Sequence, residues 1–192
     1  MNPQEEMWRG SFGDEYTHRN RVDWRARIPF WKSMLDETGA RSVHEFGCNA
    51  GWNLSAIRRC YPDVAVYGVD INRTAANEAR AAGLRVFEYG RDTRHDEPSR
   101  YDLTFTAGVL IHVGPNELRD CMQGMIDASA EWVLAVEYSA AQEEEVLYRG
   151  HSERLWRRPY GKLYQNMGLE MVRHGPAGKG FDNCNYWLLR KP

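Results

Sequence analysis

A carboxylate, a small-residue run and a second carboxylate are spaced through residues 45–70. Glu45 opens the run Glu45-Phe-Gly-Cys-Asn-Ala-Gly51, and Asp70 follows Gly51 by 19 residues. Gly47 and Gly51 let a backbone turn sharply and let a ligand come close, because no side chain stands in the way. Asn49 tolerates positive φ better than most residues, so it can stand where such loops carry a glycine. An Asp ending a second strand is placed to accept both hydroxyls of a ribose. Further along the chain, His112 has an unperturbed pKa near neutrality and could take a proton from a hydroxyl or amine. The alternative for His112 is a structural histidine bonded to backbone. Glu137 is a candidate for holding an amine or hydroxyl, with a salt bridge at a sheet edge as its alternative. Tyr16, in Phe12-Gly-Asp-Glu-Tyr16, could contact a bound cation or a substrate.

These residues need elements to position them, and the apolar pattern supplies them. Short apolar runs predict strands at Val43–Phe46, Val64–Asp70, Leu84–Tyr89, Asp102–Ala107 and Trp132–Glu137. Glu45, Asp70, Ala107 and Glu137 then fall at or near strand C-termini, where ligands bind in open α/β sheets. Helices are predicted between the strands: from about Asn53 to Cys60 with Asn53 or Ser55 as cap, over Arg73–Ala82 ended by Gly83, and over Pro115–Ala130. Trp24, Ile28, Trp31 and Leu35 recur at spacings of 4, 3 and 4, which predicts a helix over Val22–Thr38 that Pro29 could kink. Leu155–Met167 reads as a helix ended by Gly168. Leu169–His174 and Asn185–Leu189 read as a final antiparallel pair. Residues 1–21 are read as a surface arm or, alternatively, a lid. The acids of residues 143–145 begin a charged stretch that is usually just solvated.

Three of these stretches resemble class I S-adenosylmethionine-dependent methyltransferases: the Glu45–Gly51 run, Gly68-Val-Asp-Ile-Asn72, and Tyr101-Asp-Leu-Thr-Phe-Thr-Ala-Gly-Val-Leu-Ile-His112. The resemblance covers roughly residues 41–139 and, more loosely, the C-terminal strands. It implies a Rossmann-like α/β fold, with a seven-stranded, mostly parallel sheet and a C-terminal antiparallel hairpin. It implies S-adenosylmethionine as cofactor, held by Glu45, Gly47, Cys48, Asn49, Gly51, Asp70, Ile71, Asp92, Thr93, Ala107 and Gly108. Within that set, Asp70 would hold the ribose and Asp92 the adenine, though Asp92 also reads as an ordinary solvated loop Asp. Ala107 and Gly108 would let backbone carbonyls approach the methionine end. His112, Glu137 and Tyr16 are the catalytic candidates. Thr106-Ala-Gly108 stands where enzymes that methylate base amines carry N/D-P-P-Y/F, so that chemistry is disfavoured. The stretches FGDEYTHRN, HVGP and GFDNCNYWLL are similar to a subgroup associated with pseudaminic acid, a bacterial sugar.

The remaining composition narrows the function. The chain has 192 residues, 25 basic and 27 acidic, for a net charge of −2. A near-neutral balance gives no general argument for a nucleic-acid or membrane partner. No apolar run approaches the ~20 residues needed to span a bilayer, and the N-terminus lacks a signal peptide's apolar run. Four scattered cysteines without C-x-x-C spacing read as reduced thiols of a cytoplasmic protein. Six histidines without i,i+4 pairing suggest no metal site. The expectation is one domain over residues 1–192. It divides into an N-terminal arm and helix (1–38), a cofactor-binding core (39–139), and a substrate-side insertion with the final hairpin (140–192). The expected function is methyl transfer from S-adenosylmethionine to the N or O atom of a small polar metabolite, in bacterial sugar or secondary metabolism, with a homodimer left open. A tRNA or protein methyltransferase, another use of the same cofactor, and a protein that binds it without catalysis remain as alternatives. The acceptor atom is not legible in the residues.

Overall fold

The structure, a computed structural model, describes residues 3–90 and 100–192. The chain divides into two compact units, residues 1–99 and 100–192. The first begins with α1 (Pro3–Arg9) and α2 (Ser11–Arg19), then a 3-10 turn (Trp24–Arg27) and α3 (Ile28–Thr38). β1 (Ser42–Phe46), α4 (Trp52–Cys60), β2 (Ala65–Asp70), α5 (Arg73–Ala81) and β3 (Arg85–Glu88) follow. β1 and β3 each pair in parallel with β2, with Glu45 opposite Gly68 and Asp70 opposite Glu88. The core of this unit holds Trp31, Val43, Leu54, Ile57 and the inner face of α5, Ala75, Ala76 and Ala79.

The second unit contains β4 (Tyr101–Ala107), a 3-10 turn (Leu110–His112), α6 (Pro115–Ala128) and β5 (Ser129–Glu137). After them come β6 (Glu144–Glu145), β7 (Trp156–Arg157), α7 (Tyr160–Asn166), β8 (Glu170–Pro176) and β9 (Asn185–Arg190). β4 runs parallel to β5, and β9 lies antiparallel to both β5 and β8. Leu103, Phe105, Val133, Leu134 and Leu188 are fully buried, as suits strands covered on both faces. Strand order in the seven-stranded sheet is β3-β2-β1-β4-β5-β9-β8. Among the described residues, no helix is long and apolar enough to cross a membrane.

Several elements differ from the sequence-based expectation. The helix predicted from Val22 starts only at Ile28. Asp23 caps the 3-10 turn by accepting from the Arg25 amide, and Pro29 sits in the first turn of α3, where its missing N–H costs nothing. Pro29 therefore opens a helix and does not kink one. The helix predicted from Leu155 starts at Tyr160, because Trp156 and Arg157 pair with Glu145 and Glu144 as a strand. The N-terminal arm is helical. Its two helices pack together and α2 lies on α5, where Gly13 leaves no room for a side chain. A Cβ on Gly13 would overlap the Trp8 carbonyl and lie 2.7 Å from Asn72 Nδ2.

Candidate functional site

In the first unit, the turn after β1 is built from three residues with positive φ: Gly47 at 67°, Asn49 at 48° and Gly51 at 78°. Gly47 N and Cys48 N both donate to the Val69 carbonyl, at 2.8 and 3.0 Å, which ties the turn to the end of β2. The Asn49 side chain stabilises its own left-handed backbone, because its Oδ1 accepts from the Ala50 amide at 2.6 Å. Asp70, 8% exposed, receives the Asn49 amide on Oδ2 and the Asn72 amide on Oδ1, each at 2.7 Å. One carboxylate thus joins the two loops that follow β1 and β2. Burial pushes its pKa up to about 6, against the pull of those amides. Ile71, half-buried, lies between Asp70 and the α5 cap Asn72, whose Oδ1 accepts from the Ala75 amide.

Glu45 is buried behind this turn. Its Oε1 accepts from Asn53 Nδ2 at 2.6 Å, while its Oε2 has no hydrogen bond among the described residues. Asn53 Oδ1 in turn accepts from Arg27 at 2.9 Å and from Trp31 Nε1 at 3.2 Å. Burial raises the Glu45 pKa to about 8. Asn53 is therefore an internal junction and caps nothing. The residue before the first turn of α4 is Gly51, in left-handed geometry and without a side-chain cap. The expectation that Gly51 makes way for a ligand also needs correction. A Cβ there would overlap Leu84 Cδ1, so the glycine serves the chain's own packing and its positive φ. Gly68, which sequence reasoning passed over, does the same for Cys48: a Cβ would lie 2.8 Å from both Cys48 Sγ and Leu54 Cδ1. The only signal in the sequence was a lone glycine inside an apolar strand, which marks a close approach.

The N-terminal helices are fastened to the same corner. Asn72 Nδ2 donates to the Trp8 carbonyl and to Asp14 Oδ1, at 3.1 and 3.0 Å. The Thr74 hydroxyl and the Asn72 amide hold the Asp14 pKa below its usual value. Arg9 donates to the Tyr89 carbonyl at 2.8 Å and approaches Glu88 at 3.9 Å. Tyr16 packs edge-on to Trp8, with ring centroids 5.1 Å apart, and Arg19 lies over its ring.

The second unit carries Ala107, Gly108, His112 and Glu137. Gly108, with φ of 71°, donates its amide to the Val136 carbonyl and turns the chain out of β4. Glu137 is fully buried. Its Oε1 accepts from the Val109 and Leu110 amides, both at 3.2 Å, and its Oε2 from the Ile111 amide at 3.4 Å. Burial raises its pKa to about 7. The structure therefore corrects the reading of Glu137 as a holder of an acceptor: it anchors the loop after β4 from within the sheet. On the other side of that loop, Arg158 donates to the Leu110 carbonyl at 3.0 Å and to Glu143 Oε2 at 2.6 Å. Arg158 is fully buried, so the charged stretch is not simply solvated. It forms a strap, the β6–β7 hairpin, extended by Val146 N donating to Leu155 O and by the Tyr148–His151 bridge.

His112 is 9% exposed under this strap. Its Nδ1 lies 2.7 Å from the Arg154 carbonyl, and its ring is 5.1 Å from that of Tyr148. A carbonyl only accepts, so Nδ1 carries the proton and Nε2 the lone pair in neutral His112. Burial lowers the His112 pKa to about 4, which corrects the expectation of a group titrating near neutrality. Asp92 and Thr93 lie outside the described residues.

No protein-family model matches the chain, and no curated protein matches it. Solved structures do. A magnesium protoporphyrin IX methyltransferase from Synechocystis, with bound S-adenosylmethionine, has a TM-score of 0.70 at 12% identity, covering 100% of this chain and 99% of its own. A 1,6-didemethyltoxoflavin-N1-methyltransferase from Burkholderia thailandensis, with bound S-adenosylhomocysteine, has a TM-score of 0.73 at 17% identity, covering 100% and 91%. The fold is a methyltransferase fold. A sugar N-methyltransferase from Streptoalloteichus is similar as well, with a TM-score of 0.68 at 14% identity, covering 95% and 93%. In this fold the parallel strands are followed by an antiparallel C-terminal pair, here β8 and β9, with β9 also antiparallel to β5.

Proposed function

We propose that this protein transfers a methyl group from S-adenosylmethionine to an N or O atom of a small polar metabolite. The observation that carries this reading is the turn 47–51 joined to Asp70. Three positive-φ positions at alternate residues keep the turn tight, and a buried carboxylate that accepts backbone amides on both oxygens is held beside it. Each Asp70 oxygen retains acceptor capacity for a ribose hydroxyl. Glu45 Oε2, buried and without a hydrogen bond among the described residues, is a spare polar atom behind the turn. The residues present therefore fit this cofactor. When bound, it supplies a methyl group already activated by a sulfonium.

What remains for the chain is binding, alignment and handling of a proton. Glu45, Gly47, Cys48, Asn49, Gly51, Asp70 and Ile71 form the cradle in the first unit, with Asp92 and Thr93 assigned to adenine. In the second, Ala107 and Gly108 present backbone, and Glu137 holds the following loop in place. His112 orients the acceptor through its Nε2 lone pair. With a pKa near 4 it is a weak base, so the acceptor is one that needs little help to lose its proton, such as an amine or an acidic hydroxyl. Tyr16 belongs to the arm that closes over the ribose corner, an assignment supported by the contacts of Trp8 and Asp14 with Asn72. Bacterial sugar metabolism is the setting we favour, supported by the sequence resemblance and by a sugar N-methyltransferase among the similar structures. Four free cysteines suit the cytoplasm.

Calorimetric titration with S-adenosylhomocysteine tests the central claim. Micromolar binding by the wild type, weakened roughly ten- to hundredfold (about 1.4–2.8 kcal/mol) in Asp70→Ala, is the expected result. Absence of binding to the folded wild type overturns the proposal.

A further inference from the structure

Beyond the residues assigned above, the second unit has a cleft of about 380 Å³ at the end of β5, between the start of β9 and α7. Its volume is in the range of small-molecule sites. Its wall carries Lys162 and His174 and no Asp or Glu, although the chain as a whole has more acidic than basic residues. Both side chains are exposed, and neither takes part in a hydrogen bond or ion pair among the described residues. Asn185 Nδ2 donates to Ser139 Oγ at 2.7 Å, so the Ser139 hydroxyl hydrogen is left to donate elsewhere. Trp187 lines the cleft as well. α7 packs on it so closely that a Cβ on Gly161 would lie 2.8 Å from its indole Nε1, and that N–H makes no hydrogen bond among the described residues. An ammonium, an imidazole, a hydroxyl and an indole N–H thus line one cleft with no carboxylate to neutralise them. Charge-assisted hydrogen bonds to anionic oxygens are what such a donor set makes best.

We propose that this cleft binds the anionic end, a carboxylate or phosphate, of the small-molecule acceptor; the assignment to an acceptor rests on the methyltransferase reading. Ser139 lies two residues beyond Glu137, the anchor of the His112 loop, so the cleft begins at the same strand end as the groups assigned to the acceptor. An acidic acceptor would be fixed by its charge here and present its nucleophile toward that loop. Sugar-like or aromatic rings would lie against Trp187.

The test uses full-length protein with labelled tryptophan indoles. The Trp187 signal is assigned with Trp187→Phe and followed by NMR while benzoate or inorganic phosphate replaces chloride at constant ionic strength. Saturable movement of the Trp187 N–H with one or both anions, weakened at least tenfold in Lys162→Met, supports the proposal. Saturation by only one anion identifies which group the cleft takes. Movement that stays linear with both anions, or that Lys162→Met leaves unchanged, overturns it. S-adenosylhomocysteine is titrated into the same samples. Its binding is expected to be unaffected by Lys162→Met, and a wild type that binds S-adenosylhomocysteine but shows no saturable anion response sinks the cleft alone. Failure of the wild type to bind S-adenosylhomocysteine counts against the methyltransferase reading, whatever the anions do.

Discussion

Asp70 is a carboxylate whose burial and hydrogen bonds pull in opposite directions. The Asn49 and Asn72 amides favour its charged form, while burial favours the neutral one and wins, placing its pKa at about 6. On the proposed reading, the charged form is the one that would accept from two ribose hydroxyls. Affinity for S-adenosylhomocysteine is therefore expected to fall as pH drops below about 6, and calorimetry at pH 5, 6 and 8 should show this in the wild type and not in Asp70→Asn. Glu45 reports on stability. Its folded pKa of about 8 exceeds the 4.5 of an unperturbed glutamate. The folded state keeps a proton that the unfolded chain releases, so this contribution is full below pH 4.5 and is lost as pH rises through 8. Glu45→Gln should flatten that part of the melting-temperature profile. Asn53→Ala removes one shared partner from Glu45 Oε1, Trp31 Nε1 and the Arg27 guanidinium, and should cost about 2–4 kcal/mol in a denaturant titration. The Glu45–Gly51 run and Asp70 were legible because spacing and residue type carry them. Asn53 was misread because an Asn near a helix start usually caps, and nothing local says that it faces inward. His112 was singled out by its place after a strand, but its lowered pKa was not foreseen, since burial by a strap 42 residues downstream leaves no local trace.

At the scale of elements, the strap and the arm are the parts that sequence periodicity read least well. β6 and β7 pair over two residues each, too few to show alternation. What holds them is Arg158, bonded to Glu143 on one side and to the Leu110 carbonyl on the other. Arg158→Met removes both, leaving the Leu110 carbonyl with the Val113 amide alone, and should destabilise the protein by about 1–3 kcal/mol. Arg158→Lys recovers only part of this, because a lysine cannot span both acceptors with a planar fork. The arm depends on Gly13. Gly13→Ala forces the Trp8 carbonyl and Asn72 apart. Faster proteolytic cleavage between α1 and α2 is expected, with the melting of the rest of the chain little changed. Equal cleavage rates in variant and wild type would show that the arm does not depend on that contact.

For the whole molecule, the strand–helix alternation was legible because each strand is a short apolar run bounded by turn residues. The final antiparallel pair was legible for the same reason. The boundaries that shifted, at Ile28 and Tyr160, did so because a proline's place in a helix and a two-residue pairing depend on what packs nearby. Three buried carboxyls, Glu45, Asp70 and Glu137, all have raised pKa values, of about 8, 6 and 7. Each loses its stabilising contribution as pH rises through those values. His112 acts oppositely: its folded pKa near 4 makes stability fall as pH drops from 6.5. Three carboxyls outweigh one histidine, so the thermal midpoint should fall as pH rises from about 5 to 8 in a scan of melting temperature.

β9 follows every other strand of the sheet in chain order, yet it sits inside, between β5 and β8. During synthesis on the ribosome, β5 is made long before its neighbour. Until β9 arrives, Val133, Leu134, Ala135 and Val136 form an apolar edge on one side of which nothing is paired. Such an edge is a template for another nascent chain. Interrupted translation within residues 138–184 would thus release a product that aggregates, while the hairpin of β8 and β9, once made, closes the gap in a single step.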